Sequence, residues 1–104
     1  MNDRIESIRR MLAENGEDVF LHYSLGKELA AAGRHDEAGA EFDECLRLDP
    51  KYVAACAEAG KSRRAAGDLA GAREVFQRGM ELARSLGERH AADFLRQQLE
   101  ALGD

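Results

Sequence analysis

Two cysteines and a histidine are the residues of this sequence whose chemistry suits metal binding or redox work. His22 and Cys56 lie thirty-four positions apart, and Cys45 precedes Cys56 by eleven. Structural zinc sites use four thiolate or imidazole ligands, commonly in CxxC pairs, and this sequence has neither a CxxC pair nor more than two cysteines. A metal or redox centre built on Cys45, Cys56 and His22, with His35 and His90 as further candidate ligands, stays an alternative, while burial of both cysteines in a core is the expectation.

Carboxylates that could serve in acid–base catalysis are concentrated between positions 36 and 44. They are Asp36, Glu37, Glu41, Asp43 and Glu44. Helical spacing spreads them around one exposed helix face, and no nucleophile, oxyanion hole or glycine-rich phosphate loop accompanies them. We therefore expect a solvated surface, a protein that is not an enzyme, and no cofactor.

Composition narrows the class of protein further. The chain has 104 residues, 44% of them hydrophobic and 34% charged, with a net charge of −5. This balance predicts a single folded domain, and the negative charge argues against nucleic acid and anionic membranes as partners. The charged N-terminus lacks the apolar stretch of a secretion signal, and two cysteines fit a reducing compartment, so we expect a cytoplasmic protein.

The elements that position these residues are predicted to be helices alone. Apolar residues recur with a period of about 3.6, and no alternating strand pattern is found. The predicted helices cover approximately 3–14, 19–32, 36–48, 52–66, 69–86 and 88–102. Because the connections are short, consecutive helices are expected to pack as antiparallel neighbours.

The sequence also repeats itself. Residues 19–52 align with residues 53–86 without gaps, and nine positions are identical. Among them Gly33 and Gly67 are predicted to end a helix in the left-handed conformation. The other informative identities are Gly26/Gly60, Ala38/Ala72 and Phe42/Phe76, where small residues predict close helix approach and phenylalanines fill the space beside it.

These residues resemble the tetratricopeptide repeat, a 34-residue helix pair with the pattern W-x2-L-G-x2-Y, A-x3-F and P. The first repeat reads His22-x2-Leu25-Gly26-x2-Leu29, Ala38-x3-Phe42 and Pro50; the second reads Cys56-x2-Ala59-Gly60-x2-Arg63 and Ala72-x3-Phe76, with Arg84 at the proline position. The resemblance implies an all-α, short right-handed α-solenoid of about six helices. Residues 1–17 would form an N-terminal half-repeat, 19–52 and 53–86 two repeats, and 87–104 a capping helix.

The resemblance also implies where a partner binds. In this family the first helices of successive pairs line a concave surface, through repeat positions 2, 5, 9 and 12. Those positions hold Phe20, Tyr23, Lys27 and Ala30 in the first repeat and Ala54, Ala57, Lys61 and Arg64 in the second. An apolar patch beside three cations suits an acidic or carboxylate-bearing peptide, and we take Phe20, Tyr23, Lys27, Ala57, Lys61 and Arg64 as candidate site residues.

Other readings of the same residues remain open. Phe20 and Tyr23 also fit a role in packing against the N-terminal helix, with the cations merely solvated. The chain is expected to be a monomer or a weak homodimer, and an assembly role through the open ends of the solenoid is the alternative function. The first expectation is a non-catalytic interaction module whose partner is a protein or peptide.

Overall fold

The computed structural model describes residues 3–103, and this part of the chain contains six α-helices and no strand. The helices are α1 (Asp3–Glu14), α2 (Val19–Ala31), α3 (His35–Leu48), α4 (Val53–Ala65), α5 (Leu69–Ser85) and α6 (Arg89–Leu102). The all-α prediction is confirmed, with helix ends within one or two residues of the predicted ones. Within the described residues no helix has both the length and the apolar character needed to cross a membrane.

Glycine ends three of these helices in the same way. Gly33, Gly67 and Gly87 have φ angles of +78°, +89° and +74°. After α2 the Arg34 amide donates to the Leu29 carbonyl oxygen at 2.9 Å, while the Gly33 amide donates to that of Ala30 at 3.0 Å. These two hydrogen bonds satisfy backbone carbonyl groups that the end of the helix leaves unpaired. Their geometry requires, at position 33, a residue that tolerates positive φ. The predicted left-handed caps at Gly33 and Gly67 are therefore confirmed.

Aspartates begin two of the helices. The Asp18 carboxylate accepts a hydrogen bond from the Leu21 amide at 3.1 Å, and the Asp68 carboxylate accepts one from the Gly71 amide at 2.9 Å. Each bond satisfies one of the backbone donors that a helix start leaves unpaired. The predicted N-cap at Asp18 is confirmed.

The helices stack in two layers. Each helix packs against the next in the chain, and α2 also contacts α4, as α4 contacts α6. The short dimension of the molecule is 18 Å, which matches two helices packed at an interaxial distance of about 8–10 Å. Helices α2, α4 and α6 therefore form one face of the molecule.

Glycine and phenylalanine set the spacing within each pair. A Cβ atom at Gly26 would lie 2.6 Å from Cε1 of Phe42, and one at Gly60 would overlap the Phe76 ring in the same way. Phe42 and Phe76 are fully buried, as are Ala38 and Ala72. The predicted close approach is confirmed, because only a residue without a side chain fits against each ring.

The two ends of the stack differ in chemistry. At the C-terminal end α6 buries Ala92 and Leu95 against the last pair, and Phe94 is 40% exposed among polar side chains. At the N-terminal end α1 buries Ile5 and Ile8 against α2, yet Met11 and Phe20 remain largely exposed beside them. Large apolar side chains are thus more exposed at the N-terminal end, where Phe20 is 69% exposed, than at the C-terminal end.

Candidate functional site

A groove between α2 and α4 collects the three cations predicted from the sequence. It encloses about 490 Å³, and Lys27, Lys61 and Arg64 all line it. Its remaining lining is mostly small side chains together with one acid and one histidine: Ala30, Ala31, His35, Glu58, Ser62 and Ala65. We call this the concave groove.

Two of the cations share one carboxylate. The Lys27 ammonium lies 3.3 Å from Oε1 of Glu58, and the Lys61 ammonium lies 3.1 Å from the same oxygen. The Glu58 side chain is 14% exposed, whereas both lysines are nearly half exposed. A largely covered carboxylate therefore holds two exposed ammonium groups at the groove and neutralises only one of their charges.

Arg64 is held by neutral groups. Its Nη1 donates to Oε1 of Gln98 at 2.6 Å, and its guanidinium lies 5.7 Å from the centre of the Phe76 ring. Among residues 3–103 no carboxylate lies within ion-pair distance of it. The amide and the ring orient the guanidinium without cancelling its charge.

Two other arginines, Arg63 on α4 and Arg47 on α3, are paired with carboxylates. Arg63 donates to both carboxylate oxygens of Asp43, at 2.8 and 2.9 Å. Arg47 lies 2.9 Å from Glu44 and 3.6 Å from Glu17. Carboxylates neutralise both of these guanidinium groups, whereas none neutralises that of Arg64 among the described residues.

The two predicted aromatic residues lie in different environments. The Tyr23 ring is stacked on Tyr52 at 5.1 Å between centroids and meets the Phe42 ring edge-on at 5.7 Å. Burial, together with the negative charge of Glu58, raises the pKa of the Tyr23 hydroxyl. Phe20 is 69% exposed. Tyr23 therefore packs against the core and lines neither the concave groove nor the surface beside Phe20, whereas Phe20 presents its ring to solvent.

Phe20 faces a second groove, between α1 and α2. This groove encloses about 450 Å³ and its apolar lining is Ile8, Met11, Phe20 and Leu21. We call it the N-terminal groove. Of the remaining predicted positions, Ala57 is half-buried against the group of core residues that includes Phe76 and Leu95, and Ala54 is exposed. Neither lines either groove.

The residues considered for metal or redox chemistry are engaged elsewhere. Nδ1 of His22 lies 2.7 Å from Oε1 of Glu41, and its Nε2 lies 2.8 Å from the Gly16 carbonyl oxygen. Cys45 and Cys56 are fully buried and unpaired, and burial raises the pKa of the Cys45 thiol to about 12. No group of three potential metal ligands occurs among residues 3–103. Both cysteines therefore pack in the core, as predicted from the sequence.

Sequence reasoning missed several residues that shape these grooves. Glu58 precedes Lys61 by three positions, a spacing at which helical side chains meet, so this pair was within reach of the sequence. Gln98 follows Arg64 by thirty-four positions, which is one repeat length. Met11 lines the N-terminal groove only because α1 folds onto α2, and no sequence pattern within α1 predicts that contact.

Comparison with known proteins relates this fold to a family. Residues 29–98 match the sequence profile of the tetratricopeptide repeat. A TPR repeat-containing protein of Pseudomonas aeruginosa is 39% identical over 87 residues, covering 84% of this chain and 83% of that protein.

Solved structures agree with the sequence comparison. A Bordetella parapertussis protein, known from its solution structure, superposes with a TM-score of 0.83 at 31% identity, covering 98% of this chain and 89% of its own. A tetratricopeptide repeat domain protein from Salinibacter ruber superposes with a TM-score of 0.77 at 26% identity, covering 86% and 90%. Both similarities extend over nearly the whole of the six-helix stack.

Proposed function

This chain belongs to the tetratricopeptide repeat family, and we propose that it is a non-catalytic interaction module that binds a peptide segment of a partner protein in its concave groove. Members of the family generally bind proteins or peptides through their helix stacks. The proposal assigns contact roles to Lys27, Lys61 and Arg64; Tyr23 packs against Phe42 and Tyr52 and does not line the groove. Phe20 extends the same face toward α1.

The excess of positive charge in the concave groove is the main observation that supports this proposal. Three cations line it, and Glu58 is its only carboxylate among the described residues. The protein as a whole has a net charge of −5, so the positive charge of the groove is opposite in sign to that of the whole protein. An acidic side chain or a terminal carboxylate on the peptide would supply the missing partner.

The shape of the groove supports an extended ligand. Its lining includes Ala30, Ala31 and Ala65, whose small side chains leave room for a peptide backbone beside the cationic side chains. The lysines are already held by Glu58, and Arg64 by Gln98, so little side-chain entropy is lost when a ligand binds. A partly preorganised groove of this kind needs no large conformational change.

Charge reversal at one lysine tests the proposal. Random linear peptides displayed on phage are selected against the wild-type protein, and each selected peptide is then measured by fluorescence anisotropy against Lys61→Glu. The control is Lys51→Glu, which makes the same charge change at an exposed residue that lines neither groove. We expect Lys61→Glu to weaken binding about tenfold or more and Lys51→Glu to change it less than about threefold. Equal losses in the two variants would refute binding in the concave groove.

The organisation and location of the protein form part of the same proposal. We assign residues 19–52 and 53–86 to two repeats, with 1–17 as a half-repeat and 87–104 as a cap. The helix pairs α2/α3 and α4/α5 support this division. Two buried, unpaired cysteines support a reducing compartment such as the cytoplasm.

A further inference from the structure

The two grooves lie end to end along one face of α2. Phe20 and Ser24 line the N-terminal groove, and Lys27 and Ala31 line the concave groove. These four residues follow one another at spacings of four, three and four, which places them in a single stripe along the helix. A ligand lying on this stripe would contact both grooves.

The N-terminal groove is suited to an apolar side chain. Met11 is 48% exposed and Phe20 is 69% exposed, and both lie over the buried Ile8. Isolated exposed apolar residues are common, but two large ones that converge on a groove of about 450 Å³ are typical of a binding surface. Filling the groove would remove both side chains from water.

The distance between the grooves gives the spacing of the ligand. The midpoint of residues 20–24 and that of residues 27–31 are seven residues apart on α2, which at 1.5 Å per residue is about 10 Å. An extended peptide covers about 3.3 Å per residue. The two contact points on the peptide are therefore about three residues apart.

We propose that the peptide bound in the concave groove also inserts a large apolar side chain into the N-terminal groove, about three residues from its acidic group. This inference rests on the proposed function and adds a second contact point to it. The excess positive charge beside an apolar groove fits a short segment that carries both groups. The apolar surface at this end consists of two exposed large side chains, Met11 and Phe20, whereas stable dimer interfaces use about 20–30 residues on each side, which favours a peptide over a second copy.

A peptide series with defined spacing tests this inference. Labelled peptides of alanine and serine carry one leucine and one glutamate, in either order, at every separation up to about six residues, and a matched set has alanine in place of the leucine. Binding is measured by fluorescence anisotropy against the wild type and Met11→Ser. The control is Leu69→Ser, because Leu69 is 50% exposed and lines neither groove. Circular dichroism verifies that each variant is folded.

We expect the tightest binding at a separation of about three or four residues. Met11→Ser should weaken the binding of those peptides about fivefold or more, which is a larger effect than that of Leu69→Ser. It should leave the binding of peptides that lack leucine unchanged. Absence of an optimal separation, or equal effects of the two serine variants, would overturn the inference. If Lys61→Glu still weakens binding in that case, the concave-groove proposal survives; if it does not, both proposals fail.

Light scattering separates a peptide from a second copy as the occupant of the N-terminal groove. A monomer at the concentrations of the binding assay supports the peptide. A dimer that Met11→Ser converts to a monomer would show that another copy covers the groove, and would overturn the inference.

Discussion

Replacing Gly26 with alanine should reveal how strongly the fold depends on contact between a bare backbone and a phenylalanine ring. The added Cβ would lie 2.6 Å from Cε1, 2.7 Å from Cζ and 3.0 Å from Cδ1 of Phe42. Carbon atoms pack favourably at about 3.5–4.0 Å, so the ring and the helix must separate by roughly 1 Å. Phe42 is fully buried and therefore has no free space in which to retreat.

The expected free energy change is the sum of two opposing effects. Alanine in a helix interior is favoured over glycine by about 1 kcal/mol. Overpacking of a filled core costs about 1–3 kcal/mol, and a contact this short belongs near the upper end. We expect Gly26→Ala to lower the free energy of unfolding by about 1–2 kcal/mol.

Gly39 provides a matched control within a neighbouring helix. It is also buried and helical, but a Cβ atom there would come no closer than 4.0 Å to another side chain, that of Ser62. Gly39→Ala should therefore raise the free energy of unfolding by about 0.5–1 kcal/mol, since only the helix preference changes. Urea denaturation followed by far-ultraviolet circular dichroism measures both variants.

A double mutant separates the ring contact from other causes. Leucine at position 42 lacks the ring atoms that the new methyl group would meet, so the cost of Gly26→Ala should fall by about 1 kcal/mol or more in the Phe42→Leu background. If Gly26→Ala is as stable as Gly39→Ala, or costs the same with leucine at position 42, the steric argument is wrong.

Three further predictions concern a histidine, the thiols and a turn. Burial by itself would lower the pKa of His22. Its hydrogen bonds to the acceptors on Glu41 and Gly16, together with the negative charges of Glu41 and Glu44, outweigh burial and raise the pKa above its ordinary value of 6.5. The contribution of His22 to the free energy of unfolding should be fully present below pH 6.5 and be lost as the pH rises through the raised pKa. In urea denaturation from about pH 6 to about pH 9, His22→Gln should remove this dependence. Cys45 and Cys56 are buried with raised pKa values, so a thiol reagent should modify the native protein about a hundredfold more slowly than the urea-unfolded chain. Gly33→Ala should lower the free energy of unfolding by about 1–2 kcal/mol, because alanine is strained at a φ of +78°. No atom lies within 4 Å of the new Cβ, so steric overlap does not contribute. Gly33→Asn should cost less, because asparagine adopts positive φ more readily.

Each of these three has an outcome that would contradict it. A pH dependence that is identical in the wild type and His22→Gln would assign the titration to another group. Rapid modification of either cysteine in the native protein would show that its site is open to solvent. Gly33→Ala should be compared with Gly16→Ala, where φ is not positive and the nearest atom is 3.6 Å away, and equal effects would exclude backbone strain.

The fold was predictable because its determinants are local and repeated. The 3.6-residue period places the helices, Gly33 and Gly67 end two of them, and the thirty-four-residue interval shows that the same helix pair occurs twice. Gly26 and Phe42 identify the contact within a pair, because the smallest and one of the largest side chains recur together. These properties depend on neighbours in sequence or on one fixed interval, and both are visible in a single chain.

The candidate site was predictable only in part. Repeat position identifies which residues share the face of α2 and α4, and Lys27, Lys61 and Arg64 do line one groove. Repeat position does not distinguish Phe20 from Tyr23, although one ring is exposed and the other is stacked on Tyr52. The exposure of a side chain depends on what the neighbouring elements place beside it.

The sequence by itself determined the helices, their turns, the length of the repeat and the face on which the cations lie, because each follows from backbone preference and periodicity. Tertiary structure alone decided the balance of charge in the concave groove and the existence of the N-terminal groove. Glu58 pairs with Lys27 as well as with Lys61 only because α4 lies against α2, and Met11 joins Phe20 only because α1 folds back onto α2. Electrostatic and apolar contacts act over a few ångströms in space, so their effect depends on the packing of distant segments and not on their spacing along the chain.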